Sequence, residues 1–200
     1  SKLVVRFNAY NSLCVYGAAR LVGEEKMDVL TALSNINPVA GRFELIKSTD
    51  GVRAIIDYAH TPDALENILS TVTEIRTHNE QVITVVGCGG NRDKGKRPEM
   101  AAIACKYSDR VILTSDNPRN EDPQSIVNDM KAGVEPVNYK KTNTILDRAE
   151  AIRMACGLAQ ADDIVLIAGK GHEKYQEIKG ERFPFDDLAI VIESFKELKS

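Results

Sequence analysis

The segment Asp163-Ile164-Val165-Leu166-Ile167-Ala168-Gly169-Lys170-Gly171-His172-Glu173 sets the fold class of the chain. Its first six residues are a short, largely β-branched apolar run, the pattern of a strand buried on both faces of a parallel sheet. Two glycines then alternate with Lys, His and Glu. Backbone that can approach a ligand closely is thereby combined with a cation, a titratable ring and an acceptor. In doubly wound folds, ligands lie at the carboxyl ends of such strands.

Outward from this segment, strand and helix patterns alternate. Arg42–Lys47 and Val52–Tyr58 read as strands joined by the hairpin-type turn Ser48-Thr49-Asp50-Gly51. A helix follows, with Thr61 as cap, Pro62 in its first turn, Asp63 at the positive end of its dipole, and Leu65, Ile68, Leu69, Val72 and Ile75 on one face. Next come a strand over Gln81–Val86, a helix over Pro98–Lys106 and a strand over Val111–Thr114. A helix over Pro123–Ala132 behind Asp122, an edge strand over Val137–Tyr139 and a long helix over Asn143–Ala159 complete the units before the opening strand. After it the pattern predicts a polar hairpin over Tyr175–Phe183 about Lys179-Gly180, and a last helix from Asp186 to about Leu198. Repeated strand–helix units predict an α/β, doubly wound, mostly parallel sheet with helices on both faces.

The first 40 residues differ: a short strand-like run over Lys2–Phe7, an amphipathic helix over Asn8–Val22 stopped by Gly23, and a second helix over Lys26–Ile36. Pro38-Val39-Ala40-Gly41 reads as a linker, which puts a domain boundary near residue 40. Two helices bury little apolar surface, so the front piece is expected to be the end of a larger preceding domain, and Ser1 to be an internal start.

Composition fits one sizeable soluble domain plus an extra piece: 200 residues, 43% hydrophobic and 28% charged. A net charge of −3 gives no general attraction for nucleic acid, and no apolar run reaches the length that spans a bilayer, so neither nucleic acid nor membrane is expected as partner. Cys14, Cys88, Cys105 and Cys156 form no C-x-x-C pair, which argues against a zinc site or disulfide framework and for a reducing, cytoplasmic setting.

Four loops at strand carboxyl ends carry unusual chemistry: Asp57–Asp63, Gly87–Pro98, Ser115–Arg119 and Gly169–Glu173. Solvated turns do not need Arg, His and Asn repeatedly placed beside Gly, so these loops are expected to converge on one ligand site. Gly90-x-x-x-x-Gly95-Lys96 has the spacing of a phosphate-binding P-loop, but Arg97 stands where the magnesium-holding Ser or Thr belongs. The dinucleotide pattern fails too, with Arg92 in place of its third glycine. What remains is a glycine turn followed by Arg92, Lys94, Lys96 and Arg97, suited to an anion or to balancing nearby carboxylates.

Taken in order, Gly41-Arg42-Phe43-Glu44, Asp57-Tyr58-Ala59-His60-Thr61-Pro62, the Gly90–Pro98 stretch, Asp116-Asn117-Pro118-Arg119 and Gly169-Lys170-Gly171-His172-Glu173 resemble the Mur ligases. The resemblance covers nearly the whole chain, with residues 41–200 similar to the family's Rossmann-like C-terminal domain and 1–40 to the helical end of its central ATPase domain. It implies an ATP-dependent amide ligation in cytoplasmic peptidoglycan synthesis. A carboxylate of UDP-N-acetylmuramoyl-L-alanyl-D-glutamate is phosphorylated by ATP, with Mg2+ offsetting phosphate charge, and the amino group of meso-2,6-diaminopimelate attacks. It implies Arg42, Asp57 and His60 on the ATP side. It implies Arg92, Asp116, Asn117, Pro118, Arg119, Gly169 and Glu173 around diaminopimelate, with Lys170 and His172 shaping the loop.

The second set suits its implied ligand, which carries an amino group and a carboxylate at each end. Arg119 offers a bidentate fork for the distal carboxylate, Arg92 a second cation, Glu173 an anion for an ammonium, and Asn117 a group that can donate and accept. Lysine, lacking the distal carboxylate, would leave Arg119 unpaired, so diaminopimelate is the expected substrate. Sibling amide ligases with a similar C-terminal domain, a lysine-adding Mur ligase or the folylpolyglutamate and cyanophycin synthetases, remain alternatives, as does a free-standing binding module; the Asp116–Arg119 motif speaks against the siblings. These 200 residues hold no P-loop, metal-binding residues or catalytic group of the central domain, so they are expected not to turn over ATP by themselves.

Overall fold

The computed structural model describes residues 6–35, 40–77 and 79–198. The chain divides into two compact units, Ser1–Val39 and Ala40–Ser200. The first holds α1 (Arg6–Leu21) and α2 (Lys26–Asn35), which touch each other and leave Leu13, Leu21, Val22 and Met27 exposed. The strand expected over Lys2–Phe7 is not formed at its end: Arg6 and Phe7 open α1, because three apolar residues are too few to separate a strand from the head of a helix. Lys2–Val5, Ile36, Pro38 and Val39 lie outside the described residues.

The second unit is built on a six-stranded sheet with order β1-β2-β6-β3-β4-β5. The strands are β1 (Glu44–Lys47), β2 (Arg53–Asp57), β3 (Val82–Cys88), β4 (Arg110–Ser115), β5 (Thr142–Thr144) and β6 (Ile164–Ala168). Only β1 runs antiparallel, closing a hairpin with β2 through the Ser48–Gly51 turn; the other pairings are parallel. The opening segment is thus the middle strand, with Ala168 level with Asp57 on one side and Val86 on the other.

Alternation along the strands sorts the core into two layers. Ile55, Val82, Val86, Val111, Leu113, Ile164 and Leu166 face α3 (Pro62–Ile75), α4 (Lys96–Tyr107) and α5 (Pro123–Lys131). Ala54, Ile56, Ile83, Val85, Ile112, Val165 and Ile167 face α6 (Arg148–Leu158) and α7 (Asp187–Glu197). Helices therefore cover both faces of a mostly parallel sheet. The chain leaves β2, β3 and β4 toward one face and β6 toward the other, so the crevices beside the end of β6 are the topological switch points.

Asp122, Asp147 and Asp186 cap α5, α6 and α7, as Thr61 caps α3. Three expectations need correction. Val137–Tyr139 is no strand: Pro136–Lys141 forms a 3-10 helix led by its proline, with Val137 and Tyr139 turned to solvent. The edge strand is instead polar Thr142–Thr144, so α6 starts only behind the Asp147 cap and not at Asn143. Ile75, at the last turn of α3, is exposed, and the buried face ends at Val72. Beyond the sheet, β7 (Tyr175–Ile178) and β8 (Glu181–Pro184) form a separate hairpin whose turn residues Lys179 and Gly180 both have positive φ.

Candidate functional site

The four loops singled out in the sequence do meet, around a cavity of about 640 Å³ at the carboxyl ends of β2, β6, β3 and β4. Of the expected residues, His60, Arg92, Asp116, Asn117, Arg119, Gly169 and Glu173 line it, together with Tyr58, Lys96 and Glu99. Arg42, Asp57 and Pro118 do not.

Asp57 is buried and spends its carboxylate on backbone: Oδ2 accepts from Phe43 N (2.8 Å) and Oδ1 from Ala59 N (2.8 Å). Burial raises its pKa, against the pull of these two N–H groups and of Arg42. Its role here is to tie the Gly41–Phe43 turn to the end of β2. That turn presents the exposed Arg42 guanidinium 5.7 Å from the centroid of the Tyr58 ring, which also neighbours His60 and His172 at 4.6 and 5.3 Å.

The loops after β3 and β4 are zipped together. Gly90 N donates to Asn117 O (2.9 Å) and Arg119 Nη1 donates to Gly90 O (2.9 Å). A Cβ on Gly90 would overlap Pro118 O, so Pro118 serves as packing behind the wall and not as lining. Below them Arg97, fully buried, donates to Glu121 (2.9 and 3.0 Å) and Asp129 (2.8 Å), so this member of the basic loop balances carboxylates while Arg92 and Lys96 face the cavity.

At the centre lies Lys170, with no exposed surface. Its Nζ donates to Asn117 Oδ1 (2.7 Å) and Tyr175 O (2.8 Å), and stands 3.1 Å from Asp116 Oδ1 and 3.7 Å from Glu173 Oε2. Asn117 Oδ1 also accepts from Glu177 N (2.9 Å), and Asn117 Nδ2 donates to Glu173 Oε2 (2.9 Å). Both lone pairs of the amide oxygen are thus occupied, and a flipped amide would set N–H against ammonium. Asn117 can therefore offer a ligand only its remaining N–H, which corrects the expectation that it both donates and accepts. Sequence reasoning kept Lys170 as a loop-shaping residue and missed its central place; the available signal was a lysine one glycine beyond a fully apolar strand, where burial continues.

The β7–β8 hairpin holds Arg119 from outside. Arg119 N donates to Glu177 O (3.0 Å), Lys179 N donates to Arg119 O (2.7 Å), and Arg119 Nε lies 3.4 Å from Glu177 Oε2. Arg119 takes φ +50°, a left-handed conformation that this bridge to Ile178 enforces. Beneath the site Arg148 and Asp187, both fully buried, pair through Nε–Oδ1 (2.9 Å) and Nη2–Oδ2 (2.7 Å), while Nη2 also donates to Ala168 O (3.1 Å). Burial opposes the charge on Arg148, but Asp187, with added attraction from Asp116 and Glu173, more than offsets it and raises its pKa. The buried cluster therefore sets two cations, Arg148 and Lys170, against three carboxylates, Asp187, Asp116 and Glu173. One negative charge remains to be matched. Consistent with that field, the Tyr58 phenol is raised by burial and by the Glu173, Tyr175 and Asp116 charges.

The cavity is accordingly bipolar. Glu173 and Asp116 offer acceptors for an ammonium; the spare Asn117 N–H, the free edge of Arg119, Arg92 and Lys96 offer donors for a carboxylate. Among the described residues there is no group of three or more His, Cys, Asp or Glu side chains that could hold a metal ion. No described helix is long and apolar enough to cross a membrane.

Comparison with known proteins places this arrangement. The UDP-N-acetylmuramoyl-L-alanyl-D-glutamate–2,6-diaminopimelate ligase of Cytophaga hutchinsonii is 58% identical over 192 residues, covering 96% of this chain and 39% of that protein. The ligase of the same name from Geobacillus kaustophilus is 49% identical over 197 residues, 98% of this chain and 40% of its own length. A solved structure of a UDP-N-acetylmuramoyl-L-alanyl-D-glutamate–2,6-diaminopimelate ligase superposes with a TM-score of 0.77 at 41% identity, covering all of this chain and 40% of that one. The chain thus spans about two fifths of the length of the curated relatives it matches. Residues 41–171 match the family model of the Mur ligase glutamate ligase domain, and the chain belongs to the Mur ligase family.

Proposed function

We propose that this chain is the amino-acid-presenting part of an ATP-dependent ligase that joins meso-2,6-diaminopimelate to UDP-N-acetylmuramoyl-L-alanyl-D-glutamate in the cytoplasm. Residues 41–200 are then its C-terminal domain and residues 1–40 the helical end of its central ATPase domain. The observation that carries this reading is the bipolar cavity: acceptors at Glu173 and Asp116 and donors at Asn117, Arg119 and Arg92 stand around one space, as an amino acid with an ammonium and a carboxylate requires. The names of relatives at 49–58% identity support the same substrate class.

In this reading Glu173, beside Gly169, holds an ammonium, and Arg119 takes the adjoining carboxylate while Pro118 backs the loop. The nucleophilic amine must enter neutral, and the domain's task is to bind and orient the amino acid so that this amine faces the activated carboxylate. Arg42 reaches toward ATP from its turn, Asp57 holds that turn, and His60 stands at the rim between the two ligands. Magnesium, when bound with ATP, would supply charge neutralisation on the phosphates.

Discrimination against lysine is smaller than a bare arginine would give. Arg119 keeps Gly90 O and Glu177 as partners whatever the ligand, so lysine forfeits about one charge-assisted hydrogen bond, on the order of 1.5–3 kcal/mol and toward the lower end at a part-exposed site. Titration calorimetry of the chain with meso-diaminopimelate, L-lysine and L-glutamate tests this. Tightest binding of diaminopimelate is expected, and tightest binding of glutamate would move the chain to the folylpolyglutamate-type reading.

A further inference from the structure

We propose that Lys170 is a positioning residue that sets the polarity of the amino-acid pocket without touching the ligand. The inference rests on the amino-acid-binding reading above and adds a residue to it. Lys170 lines no part of the cavity, yet its ammonium contacts three residues that do, Asp116, Asn117 and Glu173.

Its effect on each can be worked out from the bonding. By occupying Asn117 Oδ1 jointly with Glu177 N, it fixes the amide so that the pocket sees only N–H there. Without the ammonium, the amide loses the partner that makes one orientation correct, and Asn117 could turn its oxygen to a ligand carboxylate, a repulsive contact. By drawing Asp116 Oδ1 and lying 3.7 Å from Glu173 Oε2, it offsets one of their two charges, so they bind one ammonium and not two. Glu173 Oε2 is further committed to Asn117 Nδ2, which leaves Oε1 as the oxygen for the ligand. The ammonium itself is held by Tyr175 O and lies 5.9 and 5.8 Å from the centroids of the Tyr175 and Phe185 rings, a cage that excludes water and keeps its position fixed. Lys170 thereby makes the pocket accept a carboxylate beside Asn117 and a single ammonium beside Glu173.

Nuclear magnetic resonance of the 200-residue chain tests the placement before any ligand is added. The Lys170 ζ-ammonium protons should be protected from exchange with water, and the Asn117 side-chain amide should give one slowly exchanging proton, the one bonded to Glu173. A Lys170 ammonium exchanging at the solvent rate would overturn the proposal. In Lys170→Met the Asn117 amide should lose its protection, and affinity for meso-diaminopimelate should fall about tenfold or more, the scale of one lost charge-assisted interaction. Lys170→Gln, which keeps a donor and lacks the charge, serves if the Met variant does not fold, and should keep Asn117 protected while weakening diaminopimelate. Asn117→Leu combined with Lys170→Met should lose less affinity than the two single losses added together, a non-additivity that a general packing role for Lys170 would not produce. Full additivity, or unchanged affinity with Asn117 still protected in Lys170→Met, would refute it. If the unaltered chain binds none of the amino acids offered, the amino-acid reading fails while the resonance test of Lys170 still decides its placement.

Discussion

Gly171 and Gly41 meet backbone against backbone, and no side chain fits between them. Gly171 has φ +52°, and a Cβ there would lie 2.5 Å from Gly41 O and 2.8 Å from Tyr58 Cβ. Gly171→Ala should therefore destabilise the chain by about 3 kcal/mol or more, combining left-handed strain with overlap, whereas Gly180→Ala at the open hairpin turn should cost only about 1 kcal/mol. Urea unfolding of the two variants separates them. At Arg119 the side chain and the backbone do different jobs. Arg119→Ala keeps the bridge to Ile178 but removes the guanidinium, so diaminopimelate affinity should fall by about ten- to a hundredfold while lysine affinity changes little, read by calorimetry. Acid behaviour follows from two carboxylates. Arg97 and the Asn91 N–H hold Glu121 down to about 2, and the backbone N–H groups of Glu80 itself and of Thr77 hold Glu80 down to about 2, from an ordinary 4.5. Both folded values lie below the unfolded one, so their stabilisation is whole above pH 4.5 and is lost as pH falls toward 2. Asp57 has the opposite sign, since its burial cost is relieved on protonation. Unfolding free energy measured from pH 5 to pH 2 should drop, and the slope should flatten in Glu121→Gln.

Single helices depend on their first turns in a way that the sequence already announced. Thr61 Oγ1 accepts from Ala64 N and Pro62 sits at the first position of α3, so Thr61→Ala should cost about 1 kcal/mol by thermal melting. These caps, the period-two and period-3.6 apolar patterns and the Lys179-Gly180 turn were legible because each is a local signal. The 3-10 helix over Pro136–Lys141 was not: Val-Asn-Tyr alternates like a strand, and only its surroundings reveal that both apolar members face water. The convergence of the four loops followed from the topology rule for strand ends, yet the division of labour within them did not. That Asp57 is spent on backbone, that Asn117 has no free acceptor, and that Gln176 and Glu177 of the hairpin grip Asp116 and Arg119 are all long-range bonds, such as Gln176 Nε2 to Asp116 O at 2.6 Å. No spacing within the chain encodes them.

At the scale of the molecule, two features govern stability. All the buried strands and helices of both core layers lie between Val52 and Phe195, so a chain of residues 40–200 should fold by itself and give a single cooperative melt by circular dichroism. The Arg148–Asp187 pair joins α6, α7 and the end of β6 with both side chains fully buried. Arg148→Met leaves Asp187 buried and alone and should lower stability by about 3–5 kcal/mol, while Arg148→Met with Asp187→Leu should recover most of the loss. β6 is also the central strand of the sheet and the last of it to be synthesised. While the ribosome is still short of residue 164, β2 and β3 have no common neighbour, and their inner edges stand open as two partial sheets. A nascent chain arrested before β6 therefore offers unpaired strand edges to chaperones and to other nascent chains, and folding is completed by inserting a middle strand and not by adding an outer one.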